Sequence, residues 1–154
     1  MRENLIEREE DLARIVRDAR TVAVVGMKDG SDPDAPAFTI PKALKARGLR
    51  IIPVNPMIQA ALGMTAYKDL ASVPESFDLV DIFRRSENVA EVVDEILALP
   101  PARRPRVVWM QTGIRNDVAA ARLAEAGIQV VQDHCLKVYS ERYREHRTPT
   151  LPVR

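Results

Sequence analysis

Five short segments of the sequence hold most of the side chains that could bind an anionic ligand. They are residues 26–38, 55–56, 83–85, 111–115 and 133–135, and each follows a short apolar run that is typical of a buried strand. In doubly wound sheets, ligands bind beyond the carboxyl ends of the strands, near the point where the strand order reverses. The sequence therefore predicts one site that is assembled from these segments.

The stretch GMKDGSDPDAPAFT, which begins at Gly26, has a composition that favours phosphate binding over a plain connection. Gly26 would let the backbone approach a ligand closely, and Lys28 adds a positive charge. Gly30 and Ser31 supply flexible backbone and a hydroxyl. Thr39 is predicted to cap a helix whose dipole favours an anion. Three acidic residues oppose this chemistry unless they face water: Asp29, Asp32 and Asp34.

Two common nucleotide-binding motifs are absent from the sequence. A dinucleotide fold would show G-x-G-x-x-G after the first strand and an acidic residue after the second. The chain has GMKDGS at the first place and Asn55 at the second, and it contains no G-x-x-x-x-G-K-[ST] motif. Nicotinamide dinucleotides and nucleoside triphosphates are therefore not the expected ligands.

Short apolar runs alternate with stretches of helical periodicity along the chain. The runs predict strands at residues 21–25, 50–54, 79–83, 107–110 and 128–131. The periodic stretches and the capping residues predict helices at residues 4–19, 41–47, 89–97, 117–126 and 136–143. This alternation implies an α/β fold with right-handed crossovers. We expect a doubly wound, mostly parallel five-stranded sheet with helices on both faces, in three layers.

The composition is that of one globular domain with balanced charge. Among 154 residues, 23 Lys and Arg against 22 Asp and Glu leave a net charge of +1, which does not favour nucleic acid as a partner. A single cysteine excludes an internal disulfide framework, and no apolar run reaches the ~20 residues of a membrane span. We therefore expect a cytoplasmic protein with one domain at residues 1–146 and a mobile tail at residues 147–154.

The apolar runs and the residues that follow them, taken in order, carry a family resemblance. The set TVAVVG, IIPVNP, LVDIFRR, VVWMQTGI and AGIQVVQDHCL resembles the small stand-alone CoA-binding domain proteins. These are similar to the N-terminal CoA-binding domain of the succinyl-CoA synthetase alpha subunit. The resemblance covers about residues 21–136. It implies a Rossmann-like domain that holds CoA by its phosphates, its adenosine and its pantetheine arm.

The resemblance also implies a role for each segment. The phosphate loop would be Gly26 to Ser31, with contacts from Gly26, Met27, Lys28, Gly30 and Ser31. Phe38 and Thr39 are further candidate binding residues, and Arg50 is a candidate for a further phosphate contact. The cleft after the second strand would be lined by Asn55 and Pro56. The strip beside the adenosine would comprise Phe83, Arg84 and Arg85. The segment over the pantetheine arm would comprise Gln111, Thr112, Gly113 and Ile114.

Three further observations have both a structural and a functional interpretation. Phe83 could serve as a platform for adenine or belong to the core. His134 stands where such proteins often carry an arginine, which would make a phosphate contact sensitive to pH. Asp81 lies inside a predicted strand, where pairing with an arginine or a backbone donor is expected rather than catalysis.

Cys135 is a candidate for covalent chemistry because it directly follows His134. Neighbours on a strand point to opposite faces, so the two are not expected to act together. The sequence shows no Ser-His-Asp set and no metal spacing of histidines. The leading hypothesis is therefore a protein that binds CoA or acyl-CoA without catalysis. The alternatives are an enzyme that acts on a CoA thioester or a CoA disulfide through Cys135, and an interaction module without a ligand.

Overall fold

A computed structural model of the chain describes residues 2–145 and places five strands in one parallel sheet. In chain order the strands are β1 (Thr21–Val25), β2 (Arg50–Val54), β3 (Ala60–Ala61), β4 (Met64–Thr65), β5 (Leu79–Ile82), β6 (Val107–Met110) and β7 (Gln129–Val131). The sheet has the order β2-β1-β5-β6-β7, and all of its neighbouring strands pair in parallel. Strands β3 and β4 form a separate antiparallel pair.

Within the described residues, five α-helices cover the two faces of this sheet. They are α1 (Glu9–Asp18), α2 (Pro36–Ala46), α3 (Val89–Ala98), α4 (Asp117–Glu125) and α5 (Leu136–Tyr143). Short 3-10 helices lie at Arg2–Asn4, Leu70–Ser72, Ser86–Asn88 and Pro101–Arg103. Buried residues of α3 and α4 pack with one set of alternate strand residues, and those of α1, α2 and α5 pack with the other set. The predicted three-layer, doubly wound α/β fold is confirmed.

Helix α2 begins earlier than the sequence predicts, at Pro36 rather than Pro41. Proline suits the first turn of a helix, and Pro36 takes that position. Pro41 lies inside the helix, where its missing N–H leaves the Ala37 carbonyl without its helical donor. The backbone N–H of Lys28 donates to this carbonyl over 3.1 Å, so the loop after β1 fills the gap. Thr39 is a helical residue, and the prediction of a Thr39 cap is wrong.

The N-terminal segment is helical over a shorter span than the predicted residues 4–19, because α1 covers only Glu9–Asp18. Before α1, Leu5 pairs with Val130 in a parallel bridge, and the N–H of Ile6 donates to the Val130 carbonyl over 2.9 Å. The edge of β7 therefore gains a backbone partner that a longer helix could not supply.

Other predicted boundaries agree with the structure to within a residue. The strands β1, β2 and β6 have the predicted bounds. The cap of α4 is confirmed, because Asn116 Oδ1 accepts a hydrogen bond from the N–H of Ala119 over 3.0 Å. The predicted mobile tail at residues 147–154 lies outside the described residues. Among residues 2–145, no helix has both the length and the apolar character that a membrane crossing requires.

Candidate functional site

The carboxyl ends of β1 and β5 mark the point at which the strand order reverses. The chain leaves β1 for α2 on one face of the sheet and leaves β5 for α3 on the other face. The two connections diverge, and in sheets of this kind the crevice that binds ligands is expected between such connections. Gly26 follows β1 and Phe83 follows β5, so these two residues form the base of the crevice.

Gly26 allows the backbones of the two connections to touch. Its φ is +87°, a value that residues with a side chain rarely adopt. A Cβ atom here would lie 2.5 Å from the Phe83 carbonyl oxygen and 3.4 Å from Arg84 Cδ. The N–H of Gly26 donates to the Val54 carbonyl over 2.9 Å, and the N–H of Phe83 donates to the Val25 carbonyl over 2.8 Å. Both the conformation and the contact therefore require a glycine.

The loop that follows Gly26 is shaped by its own acidic side chains. Asp29 Oδ1 accepts from the N–H of Ser31 over 3.0 Å, and this hydrogen bond holds the pKa of Asp29 below its usual range. Asp32 Oδ1 accepts from the N–H of Asp34 over 3.2 Å. Short polar side chains commonly stabilise turns in this way. Two of the acidic residues that oppose phosphate binding in the sequence thus hold the loop conformation.

Met27 and Phe38 have structural roles in this loop. Met27 is fully buried in the core beneath α1, α2 and α5, so it does not line the crevice as the sequence predicts. The ring of Phe38 lies against Gly30, where an added Cβ would be 2.9 Å from Cε1. Lys28 and Ser31 are exposed and remain available to a ligand.

Asn55 joins the loop after β2 to the loop after β1. Its Nδ2 donates to the Met27 carbonyl and its Oδ1 accepts from the N–H of Met57, both over 2.9 Å. Both ends of the amide are therefore engaged, and Asn55 positions the wall of the crevice. An acidic residue here could not donate to the Met27 carbonyl. Pro56, which follows, is exposed.

Two arginines follow Phe83 at the mouth of the crevice. Arg84 is half-buried and Arg85 is exposed, and neither guanidinium makes an ion pair or a hydrogen bond within residues 2–145. Burial raises the pKa of Glu95, and the charge of Arg84 acts against that rise. The Phe83 ring is half-buried and packs against the core on the α5 face. Guanidinium groups that make no hydrogen bond or ion pair within the described residues suit a phosphate ligand.

The turn after β6 is attached to the start of α5. Gln111 is 3% exposed, and its Oε1 accepts from the N–H of Leu136 over 3.0 Å. Thr112 and Gly113 are exposed at the tip of the turn. Ile114 packs against the core beneath α3 and α4, so its side chain contributes to the fold rather than to the edge of the site.

Ser86 and Asp133 hold this turn in place; Ser86 lies outside the segments that the sequence predicts for the site, and Asp133 has no specific role assigned within segment 133–135. The N–H of Arg115 donates to Ser86 Oγ over 3.0 Å, and the N–H of Gly113 donates to Asp133 Oδ1 over 2.6 Å. Asp133 has a φ of +59°, which aspartate tolerates better than most residues. Ser86 could have been found from the sequence, because its hydroxyl directly follows the two predicted site arginines.

Arg50 and His134 lie away from the crevice. Arg50 is the first residue of β2, at the amino edge of the sheet, and its Nη2 donates to Glu75 Oε1 over 2.6 Å. It therefore does not join the predicted phosphate contacts. The ring of His134 lies 5.2 Å from that of Tyr139, and His134 lines a surface cavity together with Glu7 of the N-terminal segment. The structure gives no support to a pH-sensitive phosphate contact from His134.

Asp81 is a buried carboxyl group in the central strand β5. It is 0% exposed, and neither of its oxygens has a hydrogen-bond partner among the described residues. The predicted pairing with an arginine or a backbone donor is therefore wrong. Its neighbours in the strand register are Val24 and Trp109. Burial raises the pKa of Asp81 well above its usual range, which favours the neutral acid.

Comparison with known proteins agrees with this architecture. A family model described as a CoA binding domain matches residues 20–141. The uncharacterized protein YneT of Bacillus subtilis (strain 168) is 37% identical over 128 residues, which cover 83% of this chain and 90% of YneT. The solved structure of cell-free ID.343 from Thermus thermophilus is 35% identical, with a TM-score of 0.80, and the match covers 89% of this chain and 99% of that one.

A larger enzyme shares the fold at lower similarity. The acetyl-coenzyme A synthetase 1 of Ca. Korarchaeum cryptofilum, solved with phosphate and ADP, is 22% identical with a TM-score of 0.60. The match covers 78% of this chain and 26% of the synthetase chain. At this identity the likeness concerns the fold alone.

Proposed function

This chain belongs to the family of CoA binding domains, and on that premise we propose that it binds coenzyme A in the crevice between β1 and β5. The observation that supports this position is the reversal of strand order at Gly26 and Phe83, beside two arginines whose guanidinium groups make no hydrogen bond or ion pair within residues 2–145. A ligand with several phosphates suits such a place, because its charges would meet guanidinium groups. The positive end of the α2 helix dipole would add to this attraction.

We propose that the ligand extends along the carboxyl edge of the sheet from β1 to β6. Its phosphates would lie over Gly26 and beside Arg84 and Arg85, and its adenine would lie on the exposed part of the Phe83 ring. Its pantetheine arm would run toward Gln111. Neighbouring strands lie about 4.8 Å apart, so the end of β6 is about 10 Å from the end of β1. An extended arm spans such a distance.

The proposed activity is binding without turnover, for CoA or an acyl-CoA. The crevice residues offer phosphate and amide contacts, but they include no nucleophile beside a base. Within residues 2–145, no group of three or more His, Cys, Asp or Glu side chains could hold a metal ion. Any output of the bound state would then come from a difference in conformation or in partner contacts between the free and the loaded protein.

Arg84→Ala and Arg85→Ala are each expected to weaken CoA binding without unfolding the protein. A charge-assisted hydrogen bond to phosphate contributes about 1.5–3 kcal/mol, so the dissociation constant should rise by roughly ten- to a hundredfold. Calorimetric titration measures the affinity, and thermal melting checks the fold. Arg50→Ala is the matched control, because it removes an arginine from the opposite edge of the sheet and should leave the affinity unchanged. Unchanged affinity in both crevice variants would mean that their side chains only face water.

A further inference from the structure

We propose that Asp81 of β5 and Ser140 of α5 hold one internal water molecule between them, in the core that α1, α2 and α5 cover. The ligand of this site is water rather than CoA, and the site lies inside the fold rather than at the carboxyl edge of the sheet. This water site is therefore independent of CoA binding.

The carboxyl group of Asp81 and the hydroxyl of Ser140 both lack hydrogen-bond partners among residues 2–145. Both residues are 0% exposed. A serine inside a helix commonly donates its hydroxyl to the carbonyl four residues earlier, but Ser140 Oγ makes no such bond. Unpaired polar groups in a core are costly, and internal water is the usual partner of buried groups that the chain leaves unpaired.

The side chains of Asp81 and Ser140 face each other across the boundary between the sheet and a helix. In the strand register Asp81 lies beside Val24 and Trp109, whose side chains belong to the core on the α5 face. Registered residues of neighbouring strands point to the same face of a sheet, so Asp81 points toward α5. On α5, Leu136 and Ser140 are four residues apart and both fully buried, so they share the helix face that packs on the sheet.

Helix α5 runs from the carboxyl edge of the sheet toward its amino edge. At the start of the helix, the N–H of Leu136 donates over 3.0 Å to Oε1 of Gln111, which follows β6. After the end of the helix, Nη1 of Arg144 donates over 2.8 Å to the carbonyl of Ala19, which lies just before β1. The helix is therefore antiparallel to the strands that it covers.

Asp81 and Ser140 lie at the same height along the strands. Ser140 follows Leu136 by four residues, which is a rise of about 6 Å along the helix. Trp109 precedes Gln111 by two residues, which is a rise of about 6.6 Å along β6. Because Leu136 and Gln111 are bonded to each other, Ser140 comes level with Trp109. Trp109 is the register partner of Asp81.

The middle of the sheet lies under α5. This helix packs against both α1 and α2 on the same face, and α2 packs on the edge strand β2. Helix α1 lies toward the other edge, where it lines a cavity together with Val107 of β6 and Gln129 of β7. The ring of Trp109, beside Asp81, lies 5.9 Å from the ring of Tyr139 on α5. The central strand β5, which carries Asp81, is therefore beneath α5.

One water molecule satisfies the hydrogen-bonding needs of both groups. Burial raises the pKa of Asp81, so its carboxyl group is a neutral acid with an O–H donor and a carbonyl acceptor. The water accepts from that donor and donates to Ser140 Oγ, and internal waters make about three hydrogen bonds each. A single water does not replace the hydration shell of a carboxylate, so Asp81 stays neutral in this site.

A high-resolution crystal structure of the wild-type protein tests the site directly. We expect one fully occupied water within about 3.2 Å of an Asp81 oxygen and of Ser140 Oγ. A direct hydrogen bond between the two side chains would overturn the proposal. So would the absence of water density beside the carboxyl group.

Ser140→Ala tests the same site in solution, because the sign of its effect depends on the water. Alanine favours a helix more than serine does, so removal of an unpaired hydroxyl would stabilise the protein. Removal of a hydroxyl that holds the water leaves the water and Asp81 with one partner fewer. The unfolding equilibrium constant, measured with urea at neutral pH, should then rise by about two- to tenfold. A fall in this constant would overturn the proposal.

Asp81→Val supplies the matched background for this variant, since valine leaves no polar group for the water. In this background Ser140→Ala should no longer raise the unfolding equilibrium constant, because the two residues act through one shared partner. An equal rise in both backgrounds would mean that Ser140 bonds within its own helix, and it would overturn the proposal. If Asp81→Val does not fold, the wild-type crystal structure still decides the matter.

Discussion

Gly26→Ala is expected to destabilise the protein by about 2–5 kcal/mol and to remove measurable CoA binding. The left-handed backbone costs a residue with a side chain about 1–2 kcal/mol. The added Cβ would lie 2.5 Å from the Phe83 carbonyl oxygen, and relieving such overpacking costs about 1–3 kcal/mol more. The relief would push apart the ends of β1 and β5, where we place the phosphates. Denaturant unfolding gives the first effect, and calorimetric titration of the folded variant gives the second.

Gly127→Ala is the matched control for this result. Gly127 has a φ of +86°, close to that of Gly26, but an added Cβ would meet no atom within 4 Å. It follows α4 and lies away from the crevice. This variant should therefore lose only the backbone part, about 1–2 kcal/mol, and should bind CoA as tightly as the wild type. Equal losses of stability in the two variants would show that the Phe83 carbonyl moves away from the added Cβ at position 26 without a cost in stability.

Asp81→Asn is expected to flatten the pH dependence of stability. Burial raises the pKa of Asp81 well above the ~3.9 of an unfolded chain. The folded protein therefore keeps a proton that the unfolded chain releases. The neutral Asp81 therefore stabilises the folded state fully at low pH. This stabilisation is lost as the pH rises from about 4 toward the raised pKa of Asp81. Linkage sets the loss at about 1.4 kcal/mol per pH unit within that window.

Urea unfolding of the wild type and the variant at several pH values from about 4 to 8 measures this effect. The free energy of unfolding of Asp81→Asn, minus that of the wild type, should grow as pH rises. Asp81→Val removes the polar group altogether and should share the flatter profile. Parallel profiles for all three proteins would mean that the Asp81 carboxylate has a partner in solution.

The five strands of the parallel sheet could be predicted from the sequence because they are buried on both faces. Apolar runs such as residues 21–25 and 107–110 have no polar face that would blur their ends, and Gly26 marks where the first run stops. The start of α2 was not predictable in the same way. Pro36 and Pro41 both suit a first helical turn, and the choice depends on the Lys28 N–H, which reaches the Ala37 carbonyl only in the folded chain.

The candidate site, too, was predictable from the sequence only in part. Gly26, Arg84 and Gln111 could be predicted because each lies within two residues of the end of a strand, and the carboxyl ends of parallel strands share one edge. Side-chain direction was the part that could not be predicted. Met27 turns into the core one residue after Gly26, and His134 turns toward the N-terminal segment. Both orientations depend on distant parts of the chain.

Calorimetric titration of CoA into the purified protein tests the central claim most directly. We expect saturable heat with one CoA per chain, a rise in melting temperature as CoA is added, and weaker binding of NAD under the same conditions. The rise in melting temperature follows because CoA binds the folded chain and not the unfolded one. Absence of both heat and a melting shift at millimolar CoA would contradict the account.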